Sequence, residues 1–283
     1  MSLRAASLTS DIQLPPFLET LKVSSIAANV QPLPSSLTSL SFRGGAPDVD
    51  WSLLSHLKKL KIKTGQGQYV KLSTSQLPSS LTSLKMTQYY EIVMYHEIVV
   101  DTLPPNLQIF KCRGCKPKID GVELPSSLTK FSGDYFFRYD QKKALQLTSL
   151  KTHWKIYPHV YCLPEEQIIL APLLSLTTCM SLQTLSTQRC MSSLTSLHLT
   201  GFNDPLDDAI FPQGLRTLCL DSGFQRDVKE GVLPSRLYTL ELHTRANVFV
   251  PDSVRHLIVC RSCKLLNTPH KNCHVEEIHS FFF

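Results

Sequence analysis

The tetrapeptide Ser-Ser-Leu-Thr recurs at 35–38, 79–82, 126–129 and 192–195, and it is part of a longer repeated unit. The unit reads Leu-Pro-x-x-Leu-x-x-Leu-x-Leu. Copies are LPPFLETLKV (14–23), LPSSLTSLSF (33–42), LPSSLTSLKM (77–86), LPPNLQIFKC (103–112), FPQGLRTLCL (211–220) and LPSRLYTLEL (233–242). The apolar residue after Leu-Pro-x-x is a convenient anchor. It falls at Leu18, Leu37, Leu57, Leu81, Leu107, Leu128, Leu147, Leu194, Leu215, Leu237 and Val254. Most steps between anchors are about 20 residues, the length of one supersecondary unit in a stacked repeat. The step from Leu147 to Leu194 is long enough to hide a further coil. The phase within 160–192 stays open, because Leu182 also fits the pattern 12 residues before Leu194.

The closing Leu-x-Leu of each unit alternates, as a strand with one buried face does. Leu40 and Phe42 then face one way, and Ser39, Ser41 and Arg43 the other. Proline has no N–H for a ladder, so it belongs in the turn ahead of the strand. A unit this short cannot bury its own apolar face. Stacked neighbours can, and their strands then pair in parallel from coil to coil. The fold expected is therefore β-rich, on the α/β boundary: a leucine-rich-repeat-type solenoid of about 11–12 coils in one domain. Its parallel sheet would line the concave face, with mostly irregular or 3₁₀ returns. Residues 1–13 read as an unstructured lead or cap, 14–259 as the solenoid and 260–283 as a C-terminal cap or tail. Ser41 to Trp51 and Leu170 to Gln183 are the returns best suited to a helical turn.

These units resemble leucine-rich repeats, and more closely the FNIP repeat family, which pairs Leu-Pro-x-Ser-Leu-x-x-Leu with Phe-Asn-x-Pro-Ile. The matching residues are Gly201-Phe202-Asn203-Asp204-Pro205-Leu206 and, less closely, Gly223-Phe224-Gln225-Arg226-Asp227-Val228. The resemblance implies a solenoid used for interaction. Family members that act as ubiquitin-ligase adaptors carry an F-box ahead of the repeats. Here the repeats begin by residue 14, and that role is not carried over.

Charge is uneven. Residues 1–155 hold 19 Lys and Arg against 11 Asp and Glu, while 156–283 hold 10 against 12. The excess concentrates on the outward strand positions, at Lys22, Lys61, Lys85, Lys111 and Lys151. Neighbouring outward positions add Arg43, Lys59, Lys63, Arg113 and Lys130. Stacked, these residues form a basic stripe suited to an acidic protein surface or to RNA phosphate. Solvation and protection of strand edges by lysine is the plain alternative. No stacking aromatic interrupts the stripe, which disfavours reading of single-stranded bases.

Other motifs are weaker. Cys112-x-x-Cys115 and Cys260-x-x-Cys263 have the spacing of zinc ligands. Only the second has further ligand types nearby, so Cys260, Cys263, His270 and Cys273 are the zinc candidates. Reduced cysteines filling small gaps are the reading preferred. His96-Glu97 lacks the second histidine of a zinc protease, since Val100 stands there. Cys219-Leu220-Asp221 is similar to the Cys-x-Asp of bacterial ligases bearing Leu-Pro repeats, but it lies inside a repeat strand. No catalytic residues can be assembled from spacing. The expected protein is a non-catalytic scaffold for a partner with an acidic surface, needing no cofactor and no small-molecule substrate. A structural subunit of a ribonucleoprotein assembly is the alternative. No run of about 18 apolar residues is present, so no membrane partner is expected. Nine cysteines without a secretory leader suggest an intracellular setting, cytoplasmic, with a mitochondrial one as alternative.

Overall fold

A computed structural model describes residues 1–9, 12–27, 32–44, 49–64, 76–88, 102–113, 124–133, 147–152, 173–178, 192–206 and 211–278. Two compact units divide the chain, Met1–Gln146 and Leu147–Phe283.

The first unit stacks parallel strands in chain order: β1 (Ser2–Leu8), β2 (Thr20–Ile26), β3 (Ser39–Arg43), β4 (Lys59–Thr64), β5 (Ser83–Gln88), β6 (Ile109–Arg113) and β7 (Lys130–Gly133). Each pairs with the next at a register of one repeat, so Leu40, Leu60, Leu84, Phe110 and Phe131 form one inward column. A second column runs Phe42, Ile62, Met86 and Cys112. The anchors Leu18, Leu37, Leu57, Leu81, Leu107 and Leu128 have no exposed surface. Burial of this stacked apolar ladder drives the fold, since no single coil has a core of its own.

The Leu-Pro-Ser-Ser-Leu-Thr motif has a physical explanation at each position. The proline carbonyl accepts the anchor's N–H three residues on, at 3.1 Å for Pro34 and Leu37 and for Pro78 and Leu81. A tight turn thus uses the group proline keeps, and its missing donor costs nothing. The serine before the anchor staples one coil to the last: Ser36 Oγ donates to Leu18 O at 2.8 Å, Ser80 to Leu57 O at 2.9 Å and Ser127 to Leu107 O at 2.9 Å. The threonine after the anchor does the same, Thr38 to Glu19 O at 3.1 Å and Thr82 to Lys58 O at 3.1 Å. The serine bonds reach the previous coil's anchor carbonyl, while the threonines add a side-chain donor to carbonyls that already accept two backbone N–H groups.

The second unit repeats the plan with β8 (Ser149–Thr152), β9 (Ser175–Thr178), β10 (Ser196–Leu199), β11 (Thr217–Leu220), β12 (Thr239–Leu242), β14 (His256–Cys260) and β16 (His274–Ile278), all parallel. A small second sheet, β13 (Asn247–Val248) with β15 (Lys264–Leu265), supports the return side. Phe202 and Phe224 stack there at 6.1 Å with planes 4° apart, both buried. Asn203 Oδ1 accepts the Gln225 N–H of the following coil at 2.9 Å. The Phe-Asn pair is thus a second coil-to-coil clasp. Gly201 and Gly223 precede the two phenylalanines, and a Cβ on Gly223 would meet Gly201 Cα at 2.7 Å. Only glycine permits that backbone approach.

The structure fills in the expected hidden coil and differs from the sequence expectation in three places. Ser2–Leu8, expected as a lead, forms β1. The concealed coil is β9, anchored on Leu173, 26 residues after Leu147 and 21 before Leu194. The C-terminal tail adds β16. Neither proposed helical return is a helix over its described part. Ser41–Arg43 continue a strand, and a single 3₁₀ turn at Trp51–Leu53 is capped by Asp50, whose Oδ1 accepts from Ser52 N at 3.0 Å. Residues 175–178 of the other are β9, where Leu176, Thr177 and Thr178 are all buried. No helix among the described residues is long and apolar enough to cross a membrane.

Candidate interaction surface

Because each strand sits one repeat from the next, outward residues also form columns. The central column of the first unit reads Arg4, Lys22, Ser41, Lys61, Lys85, Lys111 and Ser132. A second, toward the strand ends, carries Arg43, Lys63, Thr87 and Arg113 in register. A third, toward the strand starts, carries Lys59, Ser83, Ile109 and Lys130. The first-unit residues expected in the stripe all fall on these columns by register. Arg4 was missed, because β1 lacks the Leu-Pro signal that would have set its phase.

Lys22, Arg43, Lys59, Lys61, Lys111 and Lys130 are exposed, and Lys63 and Lys85 half-buried. The seven strands contain no Asp or Glu, so no acid on these strands neutralises them. Lys85 has the most crowded surroundings. Burial first, then the neighbouring charges of Lys111, Lys61 and Lys59, hold its ammonium below the usual lysine range. Both causes disfavour the charged form. An anion seated over this face would relieve the second.

Lys151 belongs to the second unit, where its column continues through Thr177, His198, Cys219, Glu241, Ile258 and Glu276. The character changes along this column from basic to acidic. Cys219 is buried, and its thiol is pushed far up by desolvation and by the charges of Glu241 and Asp221. A nucleophilic thiolate needs the opposite surroundings.

The C-terminal zinc candidates do not converge among the described residues. Cys260 Sγ donates to Thr244 O at 3.0 Å, Cys263 Sγ to Ala246 O at 3.4 Å and Cys273 Sγ to His274 O at 3.7 Å. His270 Nδ1 accepts from Asn272 N at 3.2 Å. Burial pushes the Cys263 thiol up to about 12. Cys112 lies in the first unit's core column, while Cys115, His96 and Val100 lie outside the described residues.

Stacked parallel strands, leucine anchors and coil-to-coil side-chain clasps define a leucine-rich-repeat-type solenoid. Within that class, residues 202–245 match the family model "FNIP Repeat". That segment holds the Phe202–Phe224 stack and the Asn203 clasp. Among solved structures, the chain is similar to CroV588, described as a novel circular LRR protein. The two are 18% identical with a TM-score of 0.39, over 96% of this chain and 51% of that one. This chain therefore spans about half the length of that protein. No curated protein matches the sequence. FNIP and leucine-rich repeats are generally non-catalytic interaction modules.

Proposed function

We propose that the protein is an intracellular scaffold whose first unit docks a protein partner with an acidic surface on the outward face of β1–β7. The observation carrying this reading is the set of three basic columns on seven strands without a single acid. Lysines in register on adjacent parallel strands sit about 5 Å apart. Repulsion at that spacing is modest in water and only partly screened by salt. Acidic side chains from a partner would replace that repulsion with attraction and raise the association rate. Outward positions of these strands hold no aromatic ring, so the face offers bases no stacking platform. The free thiols of Cys219, Cys260, Cys263 and Cys273 fit a reducing compartment.

Charge reversal tests the reading. Lys61, Lys85 and Lys111 changed together to Glu should leave the fold intact and abolish capture of the native partner. Reversal of Arg216, Arg226 and Arg236 in the second unit should not. If both triple variants keep the partner, the basic face is merely solvated. RNase-sensitive capture that weakens steeply and linearly with log salt would instead point to RNA phosphate.

A further inference from the structure

We propose that Cys219, Glu241 and His243 form a binding site for a zinc-class divalent cation on the outward face of the second unit. The Sγ of Cys219, a carboxylate oxygen of Glu241 and an imidazole nitrogen of His243 all lie within 4.8 Å of one another. His243 Nε2 is 3.8 Å from Glu241 Oε2. Typical bonds from zinc of about 2.0–2.3 Å set tetrahedral ligands roughly 3.5 Å apart. The three side chains therefore need to close by only about 1 Å, within reach of small χ rotations.

Their positions follow from the ladder rather than from mobile loops. Cys219 on β11 and Glu241 on β12 are register partners, as are His198 on β10 and Cys219. His243 lies two residues past Glu241, on the same side of the extended chain. Its amide donates to Leu220 O at 2.9 Å, which holds it to the neighbouring coil. Rigid strands of this kind keep a ligand set in place.

The donor set selects the ion. One sulfur, one imidazole and one carboxylate suit zinc and its neighbours, whereas calcium and magnesium take oxygen shells. Glu241 and Asp221 make the local field negative. Lys151 opposes the cation from the far end of the column. Binding converts the Cys219 thiol to a thiolate and releases its proton to water, so affinity falls as pH falls. The site is separate from Cys260, Cys263, His270 and Cys273, whose polar atoms are engaged elsewhere.

The test uses the full chain, stripped with chelator and titrated first with Co(II), then with zinc in equilibrium dialysis. About one metal per chain and a cobalt–thiolate absorption band are expected, the band vanishing in Cys219→Ser. Glu241→Gln and His243→Gln should each weaken zinc by at least about tenfold. Both side chains are about one-third exposed, so these variants keep the test valid even if the buried Cys219→Ser misfolds. The double variant Cys263→Ser/Cys273→Ser should bind as the parent does. The proposal is overturned if the parent binds no stoichiometric metal, if binding survives in Glu241→Gln and His243→Gln, or if it disappears in the double variant.

Discussion

Leu84→Ala probes the stacked core at a point where the structure allows the cost to be worked out. Leu84 has no exposed surface and sits in register between Leu60 and Phe110. Truncation to alanine removes three carbons, a transfer loss of about 2.4 kcal/mol at ~0.8 per methylene. A cavity adds to this. Leu60 and Phe110 are fixed by strands on either side, so collapse is restricted, and the total should fall at about 2–5 kcal/mol. The control is Lys85→Ala, the next residue on the same strand but pointing outward. It should cost no more than about 0.5 kcal/mol. Ser83 is a poorer control, since it faces outward yet is only 8% exposed. Urea unfolding should be followed by the fluorescence of Trp51, buried at 3% and stacked on Phe42. A Trp154→Phe background silences the other tryptophan. With a slope of about 2 kcal/mol per molar urea, the midpoint should fall by about 1–2.5 M. Equal shifts in the two variants would refute the inward and outward phases assigned to β5, and with them the basic columns.

Further outcomes follow from the same geometry. Gly223→Ala should destabilise the second unit by about 1–3 kcal/mol in thermal or urea unfolding, because the new methyl meets backbone and not a movable side chain. Phe224→Ala should cost about 3–5 kcal/mol there, as a fully buried ring is lost from the stack. Cys219 and Cys263 should resist iodoacetamide at pH 8 in the native chain and react in urea; rapid native labelling of Cys219 would contradict its burial. Burial lowers the pKa of His198, with Lys151 and His243 acting in the same direction and Asp221 and Glu241 against it. The unfolded chain then binds the proton more readily, so stability is lost as pH falls through and below about 6.5. His198→Gln should flatten the urea midpoint between pH 7.5 and 5.5, and an unchanged pH dependence would remove His198 from the account.

The repeat made the strands legible wherever Leu-Pro-x-x-Leu is intact. Each anchor from Leu18 to Val254 precedes a parallel strand in the phase its alternation requires. Three strands of the main sheet lack a clear signal for identifiable reasons. β1 has no Leu-Pro turn and places the small Ala5 inward, beside Val23. Before β9 a proline directly precedes the anchor Leu173, so the turn signal is out of place. β16 is exposed along most of its length and shows no apolar alternation. The basic face could be read because outward residues share one phase. Cys219 and Glu241 stood in that same series, yet the cluster went unseen because His243 lies one residue beyond the repeat's closing Leu242. A repeat template stops where the core stops, and the third ligand falls outside it.

That boundary bears on how such a chain acquires function. Inward positions are constrained by both neighbouring coils, so Leu, Ile and Phe recur there with little freedom. The turn and clasp residues are constrained by the carbonyls they must satisfy. Outward positions answer to neither requirement, and a substitution there disturbs only its neighbours across the strands. Residues at one phase are nevertheless brought about 5 Å apart by the ladder, however far apart in sequence. A few independent substitutions can therefore assemble a continuous surface on a scaffold that already folds. In the first unit the outcome is a field of lysines spaced by one strand. In the second, the same column brings histidine, cysteine and glutamate side by side, which is why we seek acidic-partner binding on one and metal binding on the other.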